Sequence, residues 1–478
     1  VMKHRKRFAP PASALGAALN STLVAAVLAG CSAAPELKRY QPPLADSFVN
    51  QAESATPAEP VGEFWRGFQD PLLDALIARA LTANPDLRIA AANLREARAL
   101  ARYADAQLLP SVDVTAGAGR VRARDDQGVL SSANVFSVGF DVGWEADLFG
   151  RLRGERSAAQ AGVLAGEAGL RAAQVSLSAE VARNYFEMRG LQEQLRVAVA
   201  ALETQSAALR LVDARLSAGR GNALDTERAR ALLQSTAANV PALEAALLRS
   251  RYRLAVLTGA PPTALDAELA AIQPLPGIRS VALGGIGSPE SLLRRRPDVQ
   301  AAEQQAAAAA ARAGVARSAL FPRITLGGTL GQNASRLGDL GDGASYAYNL
   351  GAQLVVNLLD FGRLRAQIAA ADARNEAAMI GYERTVLGAL EETEGALASY
   401  TRSQQQAQYL FEAARSAERA ALIARGRFEA GISDFLAVLD AERELLSARD
   451  RLAQSQTAAA TSLVGVYKAL AGGWGGAG

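Results

Sequence analysis

Phe149-Gly150-Arg151-Leu152-Arg153 recurs as Phe361-Gly362-Arg363-Leu364-Arg365, 212 positions further on (361 − 149). The same shift carries Pro110 onto Pro322. It carries Arg215, Ala218, Gly219 and Leu224 onto Arg427, Ala430, Gly431 and Leu436. Asn84-Pro85-Asp86 meets Arg296-Pro297-Asp298 in the same register. A shared register without gaps over so long a stretch marks an internal duplication, so each half of the chain is read through the other.

Proline placement sets the architecture around the repeat. All 18 prolines lie at or before Pro322, and none falls between Pro110 and Pro241. Arg151 to Ser217 and Arg363 to Ala430 are rich in Ala, Leu, Arg, Glu and Gln, all good helix formers. At ~1.5 Å per residue, a helix of this size reaches ~100 Å, far beyond globular practice. Leu364, Ile368, Ala371, Asn375, Ala378 and Tyr382 recur at steps of 4, 3, 4, 3 and 4. That is a coiled-coil period with mostly small seam residues, which permit close helix approach. Gly219 and Gly431 interrupt the long helical runs and allow the tight reversal an antiparallel hairpin needs.

Each repeat also contains two strand-like segments, one after its Pro and one before its Phe-Gly-Arg. They are Ser111 to Ala118, Val135 to Trp144, Arg323 to Gly331 and Tyr346 to Asn357. Phe136, Val138, Phe140, Val142 and Trp144 alternate with Ser137, Gly139, Asp141 and Gly143, the pattern of a strand with one apolar face. Val121 to Gly128 and Gln332 to Gly343 read as the polar loops between them. Strands of this length match the ~9–11 residues of a tilted transmembrane strand. Four strands cannot close a membrane barrel, which has no open edge in lipid and starts at about eight. Several chains must therefore share the barrel; the alternative is two hairpins in a soluble domain.

Composition argues against catalysis. The single histidine is His4 and the single cysteine is Cys31. No imidazole or thiolate is left downstream for a nucleophilic pair or a His-rich metal shell. The acidic residues sit in Arg-rich helical stretches and read as solvated helix faces. Gly284-Gly285-Ile286-Gly287 lacks the spacing of a dinucleotide fingerprint. No enzyme, no metal and no cofactor is expected.

The pI of about 9.1 comes from a short leader. Lys3, Arg5, Lys6 and Arg7 lie in the first thirty residues, which contain no acid. Without them 47 basic residues (51 − 4) face 48 acidic ones, so a nucleic-acid partner has no electrostatic support. The basic patch precedes an apolar run, as in an export signal. Leu28-Ala29-Gly30-Cys31 looks like a bacterial lipobox, which makes Cys31 the lipidated first residue of the mature chain. The plain alternative is an ordinary signal peptide with a chance cysteine. Val299 to Leu320 is Ala-rich but carries Glu303, Arg312 and Arg317, too polar for a membrane helix.

Several stretches resemble one family. They are Phe64-Trp65-Arg66-Gly67-Phe68-Gln69-Asp70-Pro71-Leu72-Leu73, Ala80 to Leu87, Trp144 to Arg151, Ser291 to Val299, Leu436 to Arg443 and Tyr467 to Trp474. Together they resemble the TolC-type outer-membrane factors of tripartite efflux pumps, in the lipoprotein branch with OprM and NodT-like subunits. The resemblance implies an α+β membrane protein with an internally duplicated protomer. Its trimer would build a 12-strand β-barrel continuous with a 12-helix periplasmic α-barrel.

The resemblance also implies the function, a passive exit duct for small molecules, anchored by the Cys31 lipid at the outer membrane and extending through the periplasm. Its partners would be a periplasmic membrane-fusion adaptor and an inner-membrane RND-type pump. A type I protein-secretion duct and a periplasmic coiled-coil scaffold without a pore remain as alternatives. The expected organisation is a lipoprotein signal over 1–30 and an N-terminal equatorial segment over 31–83. The first repeat follows over 84–257, a linker over 258–295, the second repeat over 296–470 and a tail over 471–478.

By the same resemblance, Ala218, Gly219, Arg220, Ala430, Gly431 and Ile432 form the periplasmic tips where the adaptor docks. Leu436, Asp440 and Arg443 share one helix face beyond the second tip and match the family's gate. Phe428 stands where OprM-like members carry a tyrosine. The plain reading of Asp440 is a solvated coiled-coil carboxylate.

Overall fold

The computed structural model describes residues 40, 42–50, 62–124, 128, 130–273, 275 and 285–471. The leader with Cys31, much of the N-terminal segment, part of the linker and the tail beyond Ala471 lie outside them. Four strands and eight α-helices are found among the described residues, and they repeat at the expected offset.

In the first repeat α2 (Pro85–Ala106) leads to β1 (Ser111–Arg124), β2 (Leu130–Glu145), α3 (Arg151–Ser217) and α4 (Ala223–Leu257). In the second, α6 (Pro297–Ser318) leads to β3 (Arg323–Ala334), β4 (Tyr346–Val355), α7 (Arg363–Glu429) and α8 (Phe435–Ala469). All three helices of the second repeat begin and end 212 residues after their counterparts. A helix α1 (Pro71–Ala83) precedes the first repeat and a short α5 (Pro289–Arg295) precedes the second.

The strands are longer in the first hairpin than the apolar alternation indicates. β1 continues past Ala118 to Arg124, and β2 begins at Leu130 rather than Val135. Val121 to Arg124 is therefore strand, not loop. The apolar alternation stops where Arg120, Arg122 and Arg124 occupy one face, but ladder hydrogen bonds use the backbone and continue through them. β3 likewise runs three residues beyond Gly331, while β4 ends at Val355. Two short 3-10 turns, Leu337–Asp339 and Gly343–Ser345, occupy the loop between β3 and β4.

The chain divides into two compact units. One contains Leu94–Ala165 and Ala302–Tyr382 and holds the sheet. Its order is β1-β2-β3-β4, each neighbour antiparallel. Ser111 faces Gly143 in the first hairpin and Arg323 faces Val355 in the second, so the register itself is repeated at 212. Every residue of β1 and of β4 is exposed. A sheet bare on its faces with two unpaired edges is not a stable end state in water.

The other unit contains Gln41–Asn93, Gly166–Ala301 and Glu383–Gly478. Its core joins a 3-10 turn, Phe64–Phe68, to α1 and to stretches of α3, α4 and α8. Phe64 stacks on Tyr467 with centroids 4.9 Å apart, and Phe68 meets Phe186 at 4.7 Å. Asp70 caps α1 by accepting from the Leu72 and Leu73 amides, with Pro71 at the first helical position. No helix among the described residues is long and apolar enough to cross a membrane.

Candidate gate and docking tips at the helix hairpins

The two turns at the hairpin ends use one solution twice. Gly219 and Gly431 both take φ of +71°, which an L side chain resists. The Arg220 amide donates to the Arg215 carbonyl at 2.9 Å, and Ile432 does the same to Arg427 at 2.8 Å. These six-to-one bonds close a Schellman turn and satisfy carbonyls that the helix ends leave free. The next helices are capped at equivalent positions: Asn222 accepts from Leu224 and Asp434 from Ala437. Ala218, Gly219, Arg220, Ala430, Gly431 and Ile432 are all exposed, Ile432 at 65%. An exposed, rigidly turned tip with an apolar side chain is a surface a partner can seat on.

Leu436, Asp440 and Arg443 lie together on the exposed side of α8. No ion pair joins Asp440 to Arg443 within the chain. Phe428 is separated from them and buried. It packs with Val212, Leu232, Phe435, Val438 and Leu439, and its ring lies 5.2 Å from that of Phe435. Arg215 of α3 covers the other side, its guanidinium carbon 4.1 Å above the ring centre. Phe428 therefore ties all four long helices at the tip, an apolar role that its ring fills without a hydroxyl.

The charge pair that does form beside the gate face was not singled out from sequence. Glu442 is only 6% exposed and accepts from Arg425 across the α7–α8 hairpin. Arg449 and Glu418 pair at 2.6 Å further along the same two helices. The available signal was the hairpin itself: folding the chain about Gly431 brings positions 425 and 442 level.

A second polar centre lies away from the tips. Arg189 is 1% exposed; it donates to the Tyr185 hydroxyl at 2.8 Å, to Gln192 and to the Ala271 carbonyl. Tyr185 in turn donates to Asp70, and burial pushes its hydroxyl pKa upward. Among the described residues, no group of three or more His, Cys, Asp or Glu is placed to hold a metal ion.

Comparison with known proteins gives a consistent family. A family model described as outer membrane efflux protein matches residues 76–260 and again 288–472. Both ends of the second match lie 212 residues beyond the first (288 − 76 and 472 − 260). The pyoverdine export outer membrane protein OpmQ of Pseudomonas aeruginosa is 34% identical over 431 residues, covering 88% of this chain and 90% of its own. The probable outer membrane lipoprotein SilC of Salmonella typhimurium is 30% identical over 458 residues, covering 94% and 97%. Among solved structures, the outer-membrane channel OprN superposes with a TM-score of 0.87 at 36% identity, covering 92% of this chain and 99% of OprN.

Proposed function

We propose a role that starts from one fact: this chain belongs to the outer membrane efflux protein family. It is the outer-membrane duct of an efflux system, and it works with components in the layers beneath. A scaffold without a pore is thereby set aside.

The assembly is a trimer. One observation supports it above the others: a four-stranded sheet with bare faces and two unpaired edges, in a protein of the outer membrane. Three copies bring twelve strands, enough to close a barrel with no edge left in lipid. The long helices of three copies would then form the twelve-helix tube. Cys31 anchors the assembly through a covalent lipid; SilC, a relative named as a lipoprotein, supports this reading. Several acyl chains hold stably where one does not. The duct is no enzyme, needs no cofactor and consumes no energy of its own. A periplasmic adaptor docks on the exposed tips, and an inner-membrane RND-type pump drives export.

In the trimer Leu436, Asp440 and Arg443 each recur three times around the axis. Their exposure in the protomer leaves them free to meet their copies. A leucine ring narrows the passage, and a carboxylate ring favours cations. Asp440 and Arg443, without an ion-pair partner among the described residues, pair between chains and hold the tip shut. Planar-bilayer recording on purified protein tests this. Asp440→Ala with Arg443→Ala should leave a trimer by native mass and raise its conductance several-fold. A folded double variant that conducts no more than wild type would remove the gate assignment, and a monomer or dimer by native mass would remove the trimer.

A further inference from the structure

The two faces of the sheet carry different chemistry. Facing residues of β1 and β2 total 254 from Ser111–Gly143 to Arg124–Leu130, so no bulge exchanges the faces. Partners of β2 and β3 total 470, and those of β3 and β4 total 678, so the even-numbered residues of all four strands share one face. Up to Ala118 and Ala334 that face is apolar. Val114, Phe140, Leu330 and Tyr348 form one cross-strand row, and Val112, Val142 and Leu350 lie in the row below. The odd-numbered face carries Asp113, Asp141 and Glu145, with Thr115 donating to Asp141 at 2.8 Å. In a membrane barrel the apolar face meets lipid and the polar face lines the passage.

The apolar rows run from Ile324 to Ala334 on β3, ten residues apart (334 − 324). At ~3.4 Å per residue and a tilt of ~40° they stand about 25 Å tall, the height of a barrel's lipid-facing band. Trp144 marks the end nearest the helices, where its indole N–H donates to the Leu108 carbonyl at 3.0 Å. Tyr346 and Tyr348 lie toward the other end, as a girdle residue does. Beyond Ala118 the same face changes to Arg120, Arg122 and Arg124, the only charged residues at its strand positions. All three are exposed, and the side chains of Arg120 and Arg122 have no ion-pair or hydrogen-bond partner among the described residues. Arg124 donates to the Gly128 carbonyl at 2.7 Å and holds the turn. The second hairpin has no such ladder, since 212 residues on stand Gln332, Ala334 and Arg336.

We propose that Arg120 and Arg122 bind the phosphates of lipid A, the glycolipid of the outer leaflet, on the lipid-facing side of the first hairpin. The helices leave the sheet at its opposite end, so the arginine end points away from the periplasm. Arginines two residues apart climb ~5 Å each above the apolar band, which carries the ladder through the head-group layer. A guanidinium fork matches phosphate oxygens with two N–H donors, and two forks at neighbouring levels suit a head group with two phosphates. Their stems rest on the strand surface while the charged ends reach the phosphates. No carboxylate shares this face of the sheet to compete for them. This inference rests on the barrel reading and adds to it a lipid that the barrel selects.

Native mass spectrometry of the full-length protein in detergent measures bound lipid directly. Lipid A with both phosphates should bind at least about ten-fold more tightly than its dephosphorylated form, and rising salt should narrow the gap. Arg120→Gln with Arg122→Gln should remove most of that preference, whereas Arg323→Gln, on the other face, should keep it. The wild-type comparison stands even where the double variant fails to fold. Three results overturn the site: equal binding of both lipids by wild type, an unchanged preference in a folded double variant, or displacement of lipid A by an equal concentration of inorganic phosphate. Equal binding is also the outcome if the acidic loop with Asp339 and Asp342 covers the arginines instead. Failure of the protein to insert into liposomes as a conducting pore overturns the barrel reading, and the site with it.

Discussion

The two tip hairpins share every helix boundary and differ in what holds them together. In α7–α8 the helices are bridged by Arg425–Glu442, Arg449–Glu418 and Lys468–Glu392, from the tip to the base. In α3–α4 the bridges found among the described residues lie near the base, at Arg253–Glu180 and from the Ser250 hydroxyl to the Asn184 carbonyl. The positions equivalent to Arg425 and Glu442 are Asp213 and Arg230, the charges exchanged. They do not pair; Arg230 takes Glu227 one turn away instead. Duplication preserved the backbone, and later substitution decided which hairpin is clamped along its length. The base of each hairpin shows the same divergence. Asn84 holds the last carbonyl of α4, at Leu257, 3.0 Å away. Its counterpart Arg296 holds Ala469, the last residue of α8, at 2.8 Å, and gathers Asp298 and Glu392 as well.

The sharpest test of this contrast is at the base. Arg296→Ala should cost about 3 kcal/mol in denaturant unfolding, because it strands two carboxylates and a buried carbonyl. Asn84→Ala loses neutral hydrogen bonds and should cost about 1–2 kcal/mol. Equal losses would mean the charge at position 296 adds nothing. At the tip, Glu442→Gln should cost about 2 kcal/mol, against less than about 0.5 kcal/mol for Asp213→Asn. A comparable loss from Asp213→Asn would mean the first hairpin is clamped after all.

Acid provides a smaller signal with a definite sign. Burial raises the pKa of Glu392, but hydrogen bonds and charge from Arg296 and Lys468 outweigh it, leaving the group below its ordinary 4.5. Asp298 is held below 3.8 in the same way by Arg296. A depressed carboxylate stabilises the fold above its unfolded pKa and loses that contribution as pH falls through the folded one. The wild type should therefore lose stability below about pH 4.5, and Glu392→Gln should flatten that arm by up to about 1 kcal/mol, since the group is partly solvated. An unchanged acid arm would detach Glu392 from the network. The weakest expected effect is Arg230→Ala in the first hairpin, about 0.3 kcal/mol for an exposed pair one turn apart. A loss as large as that of Glu442→Gln would erase the asymmetry.

Much of the helical design was legible because its causes are local. The run from Arg151 to Ser217 matches α3 at both ends, and Arg363 to Ala430 matches α7 to within one residue. The strands were legible only while their side chains alternated, so β1 was cut short at Ala118, where arginines replace valines on the same face. At the site, the sharing of one helix face by Leu436, Asp440 and Arg443 followed from helical spacing. The burial of Phe428 and the pairing of Glu442 did not, because spacing places residues on a helix without saying which side meets a neighbour.

The duplication at 212 and the hairpin turns at Gly219 and Gly431 were settled by sequence alone, the first by its shared register and the second because a turn depends on a few consecutive residues and their φ preferences. The tertiary structure alone decided that α6 buries Ala308 and Ala311 where α2 exposes Glu96 and Ala99, and that Arg425 rather than Arg443 holds the neighbouring carboxylate. Two helices at equivalent places in the repeat diverge in this way because burial and ion pairing depend on each helix's rotation about its axis and on what packs against it. Those are set by contacts far apart in the chain, and no local pattern encodes them.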